Sequence, residues 1–180
     1  MTEIRRLNYA DLPAVVAIER RTFPAPWSLA MFVLELSKPG GVCLVAISEA
    51  PPKAAAGGEP AGRDRCEIVG YAICSRHDTV WHLMDIAVAP ERRRTGAGAQ
   101  LLQALLDRLP GPDEQVTLEV RPSNDAGIRL YEGFGFKTAG VRRRYYSDNN
   151  EDALIMWRTP GTRRGTLDDV PAADPRAAVR

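Results

Sequence analysis

The spacing of apolar residues changes along the chain, and each change marks an element. Ile4–Leu7 reads as a short strand. Leu12, Val15, Val16 and Ile18 recur at helical intervals, which predicts a helix over Ala10–Phe23 with Asp11, ahead of Pro13, as its start signal. The segment FPAPW breaks that helix, Ser28 is placed to cap a second one running to Leu36, and Pro39-Gly40-Gly41 ends it. Val42–Ile47 is rich in strand formers. Glu67–Ser75 and Val80–Val88, separated by a turn at His77-Asp78, are nearly continuous in apolar residues and predict two central strands. Ahead of them PPKAAAGGEPAGRD has no period and predicts a flexible loop at about 50–65.

Leu101, Leu102, Leu105 and Leu106 give one apolar side to a helix over Thr95–Leu109, which Pro110-Gly111-Pro112 stops. A strand over Val116–Arg121 follows, then a helix capped by Ser123 or Asn124 and reaching Glu132. Two strands, Phe136–Tyr146 and Ala153–Arg158, flank the polar turn SDNNED. From Pro160 the chain loses its pattern, so 160–180 is expected to be a disordered tail. This order predicts an α/β fold: one domain over 1–159, with a mixed, mainly antiparallel seven-stranded sheet flanked by about four helices.

Composition narrows the function classes. At 180 residues with 44% apolar residues, the chain suits one globular domain. A formal net charge of +1 argues against nucleic acid or a membrane surface as partner. The first residues, MTEIRRLNYADL, lack the apolar core of a secretory signal, and no apolar run approaches the ~18 residues of a membrane span. A soluble cytoplasmic protein is expected. The three cysteines, Cys43, Cys66 and Cys74, lie in apolar runs without metal-binding spacing, so they are expected to be buried free thiols, with no metal.

Two stretches carry candidate chemistry. In ERRRTGAGAQLL, Gly96 and Gly98 allow close backbone approach to a ligand, and the first N–H groups of the following helix lack intrahelical partners. The helix dipole favours negative charge there, so a phosphate or pyrophosphate is the expected ligand, with Arg92, Arg93 and Arg94 as further donors. The Lys-Ser/Thr of a Walker loop and the third glycine of a dinucleotide fingerprint are both missing. The plain alternative is a solvated basic loop. In LEVRPSNDAGIRLYEGFGF, strand alternation places Thr117, Glu119 and Arg121 on one face and Leu118 and Val120 on the other. Asn124 and Tyr131 are seven apart, about two helical turns, and share a stripe. Taken alone, Glu119 reads as an ion-paired strand residue and Tyr131 as a core residue with its hydroxyl at the surface. His77 and His82 read as an ordinary turn and strand residue, and Arg142–Arg144 as a solvated strand end.

In order and spacing, IAV (Ile86–Val88), Pro90 and RRTGAGA (Arg93–Ala99) resemble the coenzyme A signature of the GNAT N-acetyltransferases. LEVRPSNDAGIRLYEGFGF resembles the strand-helix unit that follows it. FPAPWS and VRRRYYSDNNEDALIM are similar to the narrower RimI type, the ribosomal-protein-alanine acetyltransferases. The resemblance spans about Ile4–Arg158. It implies that the backbone of Ile86, Ala87 and Val88 faces the acetyl-thioester and pantetheine arm of acetyl-CoA, and that Arg94, Thr95, Gly96, Ala97, Gly98 and Ala99 hold its pyrophosphate. It implies that Asn124 contacts the same cosubstrate, that Glu119 is the general base and Tyr131 the general acid, and that Trp27 and Tyr146 border the acceptor peptide. Three features depart from the pattern: the long 50–65 loop, the extra tail, and Asp85, a charge placed near the peptide groove where a neutral residue is usual.

The resemblance implies direct transfer from acetyl-CoA in a ternary complex to the N-terminal alanine of a small-subunit ribosomal protein, by a monomer or weak dimer. An α-amine of ordinary pKa ~8 loses its proton ~2.4 units more readily than a lysine at ~10.4, which suits a carboxylate base acting directly or through a water. A broader N-terminal, lysine or small-amine acetyltransferase stays open. So does a non-catalytic module that binds acetyl-CoA or docks on the ribosome through Arg142–Arg144.

Overall fold

In a computed structural model of the chain, residues 2–49 and 66–171 are described, and the 50–65 loop and the last nine residues lie outside them. The strands are β1 (Glu3–Arg6), β2 (Val42–Glu49), β3 (Cys66–His77), β4 (Val80–Val88), β5 (Val116–Val120), β6 (Lys137–Tyr146) and β7 (Glu151–Arg158). They form a seven-stranded sheet of order β1-β2-β3-β4-β5-β7-β6. β5 runs parallel to β4, with Trp81 opposite Val116 and His82 opposite Thr117, while β1–β2, β2–β3, β5–β7 and β7–β6 are antiparallel. The helices are α1 (Leu12–Thr22), α2 (Leu29–Ser37), α3 (Ala97–Leu106), α4 (Asp125–Gly133) and α5 (Pro160–Arg164).

The helix starts follow from capping chemistry. Asn8 accepts from the N–H of Ala10 and Asp11 Oδ2 accepts from that of Asn8, a reciprocal pair that opens the turn leading into α1. Ser28 accepts from the N–H of Met31 at α2, and Asn124 Oδ1 from that of Gly127 at α4.

Two compact units divide the chain. The first, Met1–Ser75 with Met84–Leu109, packs Leu7, Leu12, Val15, Ile18, Phe32, Val45, Tyr71, Ile73, Ala87 and Ala89 into one core. The four leucines of α3 are buried as their spacing predicts. A Cβ on Gly70 of β3 would lie 2.7 Å from the Ala87 carbonyl oxygen of β4, so only glycine fits there. The second unit, Arg76–Leu83 with Pro110–Arg180, buries Val116, Leu118 and Val120 of β5, with Met156 of β7 opposite Leu118, and also buries Phe136. Between Arg142 and Tyr146 the register slips, with Arg142 opposite Ala153 and Tyr146 opposite Glu151. The bulge puts Arg144 at φ +52° with its N–H on Asp152 Oδ1.

Two expectations are corrected. A fifth helix stands where the tail was expected to begin. Thr159 caps α5 by accepting from the N–H of Thr162, Pro160 occupies the first turn, and Asp169 accepts from Thr159 Oγ1 and the Gly161 N–H. Only five residues long, α5 offers no apolar period to read, although its capping residues are in the sequence. Cys74 is buried and Cys43 half-buried, but Cys66 is exposed at the outer end of β3.

Candidate functional site

In the first unit, β4 leads through a single 3₁₀ turn, Pro90–Arg92, to the start of α3. Arg94 at φ +62° and Gly96 at φ +87° are both left-handed, and Gly96 gives α3 no side-chain cap. The leading N–H groups of α3 are therefore left for an outside acceptor, which fits a pyrophosphate. Arg93 and Arg94 are exposed beside this turn. Arg92 is not available in the expected way: its guanidinium is committed to Glu67 Oε1, 2.9 Å from Nε, and to the Glu49 carbonyl. Thr95 Oγ1 donates to the Arg92 carbonyl at 2.7 Å and fixes the turn. Ala97 is buried, and Gly98 and Ala99 are half-buried on the first turn of α3. On β4, Ala87 is buried between half-buried Ile86 and Val88.

Asp85 precedes this segment, and its environment was not legible from spacing. The Tyr71 hydroxyl, buried on β3, lies 2.9 Å from Asp85 Oδ2 and also hydrogen-bonds Glu19 Oε2 of α1. One hydroxyl hydrogen cannot serve two carboxylates, so Tyr71 donates to one and accepts from the other in its protonated form. Burial, then the neighbouring Glu19 charge, pushes Asp85 well above the usual carboxylate range, and burial raises Glu19 too. The other Glu19 oxygen accepts from the backbone N–H of Trp27 at 2.7 Å, and the Trp27 ring lies 5.3 Å from that of Phe32. Trp27 and Asp85, both assigned to the acceptor side, thus belong to one hydrogen-bonded network that is buried at Glu19 and Tyr71.

In the second unit, β5 carries Glu119 with its side chain 7% exposed. His82 Nε2 lies 2.6 Å from Glu119 Oε2, and Arg142 Nη2 lies 3.3 Å from Oε1. Burial pushes the Glu119 carboxyl up, but the hydrogen bond and charge of His82 and the charge of Arg142 outweigh it and hold the group below its ordinary value. Both His82 and Arg142 correct the sequence reading, which took them for an ordinary strand residue and a solvated one. Their role depends on contacts across 37 and 23 residues of chain that no local pattern encodes.

Tyr131 is buried on α4, its ring 5.8 Å from Phe136, and Asn124 opens the same helix as its cap. Tyr145 and Tyr146 meet edge to face at 5.1 Å. Burial raises both phenols, and the Glu119 charge adds to the shift in each. Arg121 stacks on the Tyr146 ring with Cζ 3.7 Å from its centroid. Among the described residues no helix is long and apolar enough to cross a membrane, and no group of three or more metal-ligating side chains is found.

Residues 12–136 match the model of the acetyltransferase (GNAT) family. The [ribosomal protein bS18]-alanine N-acetyltransferase of Escherichia coli K12 is 33% identical over 168 residues, covering 87% of this chain and 96% of its own. The N-alpha-acetyltransferase RimI of Mycobacterium tuberculosis is 35% identical over 164 residues, covering 88% and 92%. A crystal structure of the Escherichia coli ribosomal-protein-alanine N-acetyltransferase aligns with a TM-score of 0.71 at 33% identity, over 88% of this chain and 94% of that one.

Proposed function

The chain belongs to the acetyltransferase (GNAT) family and to its RimI type, and on that premise we propose that it carries acetyl from acetyl-CoA to the N-terminal alanine of a small-subunit ribosomal protein. The observation that carries the reading is the part-buried pair His82 and Glu119, 2.6 Å apart. A ribosomal acceptor places the enzyme in the cytoplasm.

An ammonium cannot attack a thioester, so the acceptor must first lose a proton. Glu119 alone, held below its ordinary pKa, is poorly matched to an α-ammonium near 8. His82, 2.6 Å away, is a second base within hydrogen-bond reach, so the two can take the proton together. One proton leaves the ammonium for the pair, the amine nitrogen forms its bond to the acetyl carbon, and the carbon–sulfur bond breaks while the nitrogen releases its second proton to solvent. Tyr131 supplies a proton to the departing sulfur, and Ile86–Val88 offer backbone N–H groups to the oxyanion. The left-handed turn at Arg94–Gly96 and the first turn of α3, with Asn124, hold the cosubstrate; Trp27 and Tyr146 border the acceptor.

The test is an intact-mass assay with acetyl-CoA and alanine-leading ribosomal peptides, each with free and blocked N-termini and one internal lysine. Acetylation of the free N-terminus alone is expected. Modification confined to lysine rejects the N-terminal reading.

A further inference from the structure

One residue past the end of β5, two positions after Glu119, the chain carries a second charged residue, Arg121. Its surroundings are unusually complete. Nη2 donates to Asp148 Oδ1 at 2.8 Å, and Nη1 to Asn149 Oδ1 and Glu151 Oε2, each at 3.0 Å. Its Cζ lies over the Tyr146 ring, 3.7 Å from the centroid. Glu151 Oε1 in turn accepts from the backbone N–H of Ser123 at 3.0 Å, next to the cap of α4. One side chain therefore ties the end of the Glu119 strand to both sides of the polar turn SDNNED and to the tyrosine that precedes it. The turn needs such a tie. It brings together Asp148 and Glu151, which repel each other without a cation, and it follows a bulged stretch in which the register shifts between Arg142 and Tyr146.

We infer that Arg121 is a positioning residue for acceptor binding: it holds Tyr146 and the β6–β7 turn at a fixed place beside Glu119, without itself touching the reacting atoms. The inference rests on the acceptor role proposed for Tyr146. The raised phenols of Tyr145 and Tyr146, both sensing the Glu119 charge, agree with this placement. Lysine cannot take over, because an ammonium lacks the planar fork that stacks on a ring and grips two acids at once.

The experiment is steady-state kinetics on the full chain with Arg121→Lys, Glu151→Gln and Tyr146→Ala, and with the Arg121→Lys/Tyr146→Ala double variant, using an alanine-leading peptide. Arg121→Lys is expected to raise KM for the peptide about tenfold while leaving KM for acetyl-CoA unchanged. Glu151→Gln moves peptide KM the same way by less, and serves if Arg121→Lys does not fold. In the Tyr146→Ala background Arg121→Lys is expected to add less than twofold, because its effect runs through the ring. Equal loss on both substrates, or full additivity in the double variant, overturns the proposal and leaves the enzyme reading intact. A wild-type chain that acetylates no N-terminal peptide overturns that reading and this proposal with it.

Discussion

His82 and Glu119 face each other from parallel neighbouring strands, Nε2 to Oε2 at 2.6 Å, with Glu119 two residues beyond Thr117, the residue that the register sets opposite His82. Two part-buried groups joined by so short a hydrogen bond are expected to act as a unit. Glu119→Gln is expected to lower kcat by about 10²–10⁴. His82→Ala should lower it as well and shift the acid limb of the kcat–pH profile. The double variant should be little worse than the poorer single, since members of one proton-transfer unit are non-additive. Independent, multiplying losses, or an unmoved acid limb in His82→Ala, would show that Glu119 works without the imidazole.

The Glu19–Tyr71–Asp85 network makes a prediction of opposite sign to most carboxylates. The folded Asp85 pKa is raised, so the folded state keeps a proton that the unfolded chain releases near the ordinary pKa of ~3.9. The stabilising contribution is full below that value and is lost as pH rises toward the folded pKa. With one extra proton bound, stability falls by about 1.4 kcal/mol per pH unit through that window. Asp85→Asn keeps the shape and removes the proton requirement. Melting curves from pH 4 to 8 should show the variant gaining on the wild type as pH rises, with no advantage at pH 4. A constant offset across the range would mean the site holds no extra proton.

Much of the fold was legible because its signals are local. The Ser28 cap and the α3 leucines each act within one element, and each formed where the pattern put it, although α3 ends at Leu106, three residues before the Leu109 expected from the Pro-Gly-Pro stop. The glycine turn was legible for the same reason: Gly96 needs only its own φ. What escaped was chemistry made by register. Nothing near His82 in sequence announces Glu119, and Glu19, Tyr71 and Asp85 come from one helix and two strands. Arg92 was misassigned because a guanidinium in an arginine run looks the same whether it awaits a phosphate or is already bound to Glu67. Arg121 and the acids of SDNNED were all visible, but only the fold shows that the one grips the others.

Helix α5 offers a test of the corrected C-terminal boundary. Thr159 is 1% exposed and its hydroxyl both accepts from the Thr162 N–H and donates to Asp169 Oδ1. Thr159→Ala removes the cap and leaves Asp169 with one partner fewer, at an expected cost of about 1–2 kcal/mol. Chemical denaturation should record this, with acetyl transfer at low denaturant unaffected. Stability equal to wild type would mean α5 contributes nothing to the folded unit.

The last prediction separates backbone strain from ligand binding. Gly96 and Gly165 both sit at strongly positive φ, +87° and +97°, with room for a methyl group: the nearest atom to a Gly96 Cβ would be Gln100 Nε2 at 3.7 Å, and none lies within 4 Å at Gly165. Alanine at either position therefore carries the same conformational penalty, about 1–2 kcal/mol, without a clash. Only Gly96 precedes the uncapped N–H groups proposed to hold a pyrophosphate. Gly96→Ala should tilt those groups and raise KM for acetyl-CoA about tenfold, an amount equal to ~1.4 kcal/mol. Gly165→Ala should lose comparable stability and keep its acetyl-CoA KM. Equal cosubstrate constants in the two variants would mean that the Arg94–Gly96 turn only reverses the chain and that the phosphate is held elsewhere.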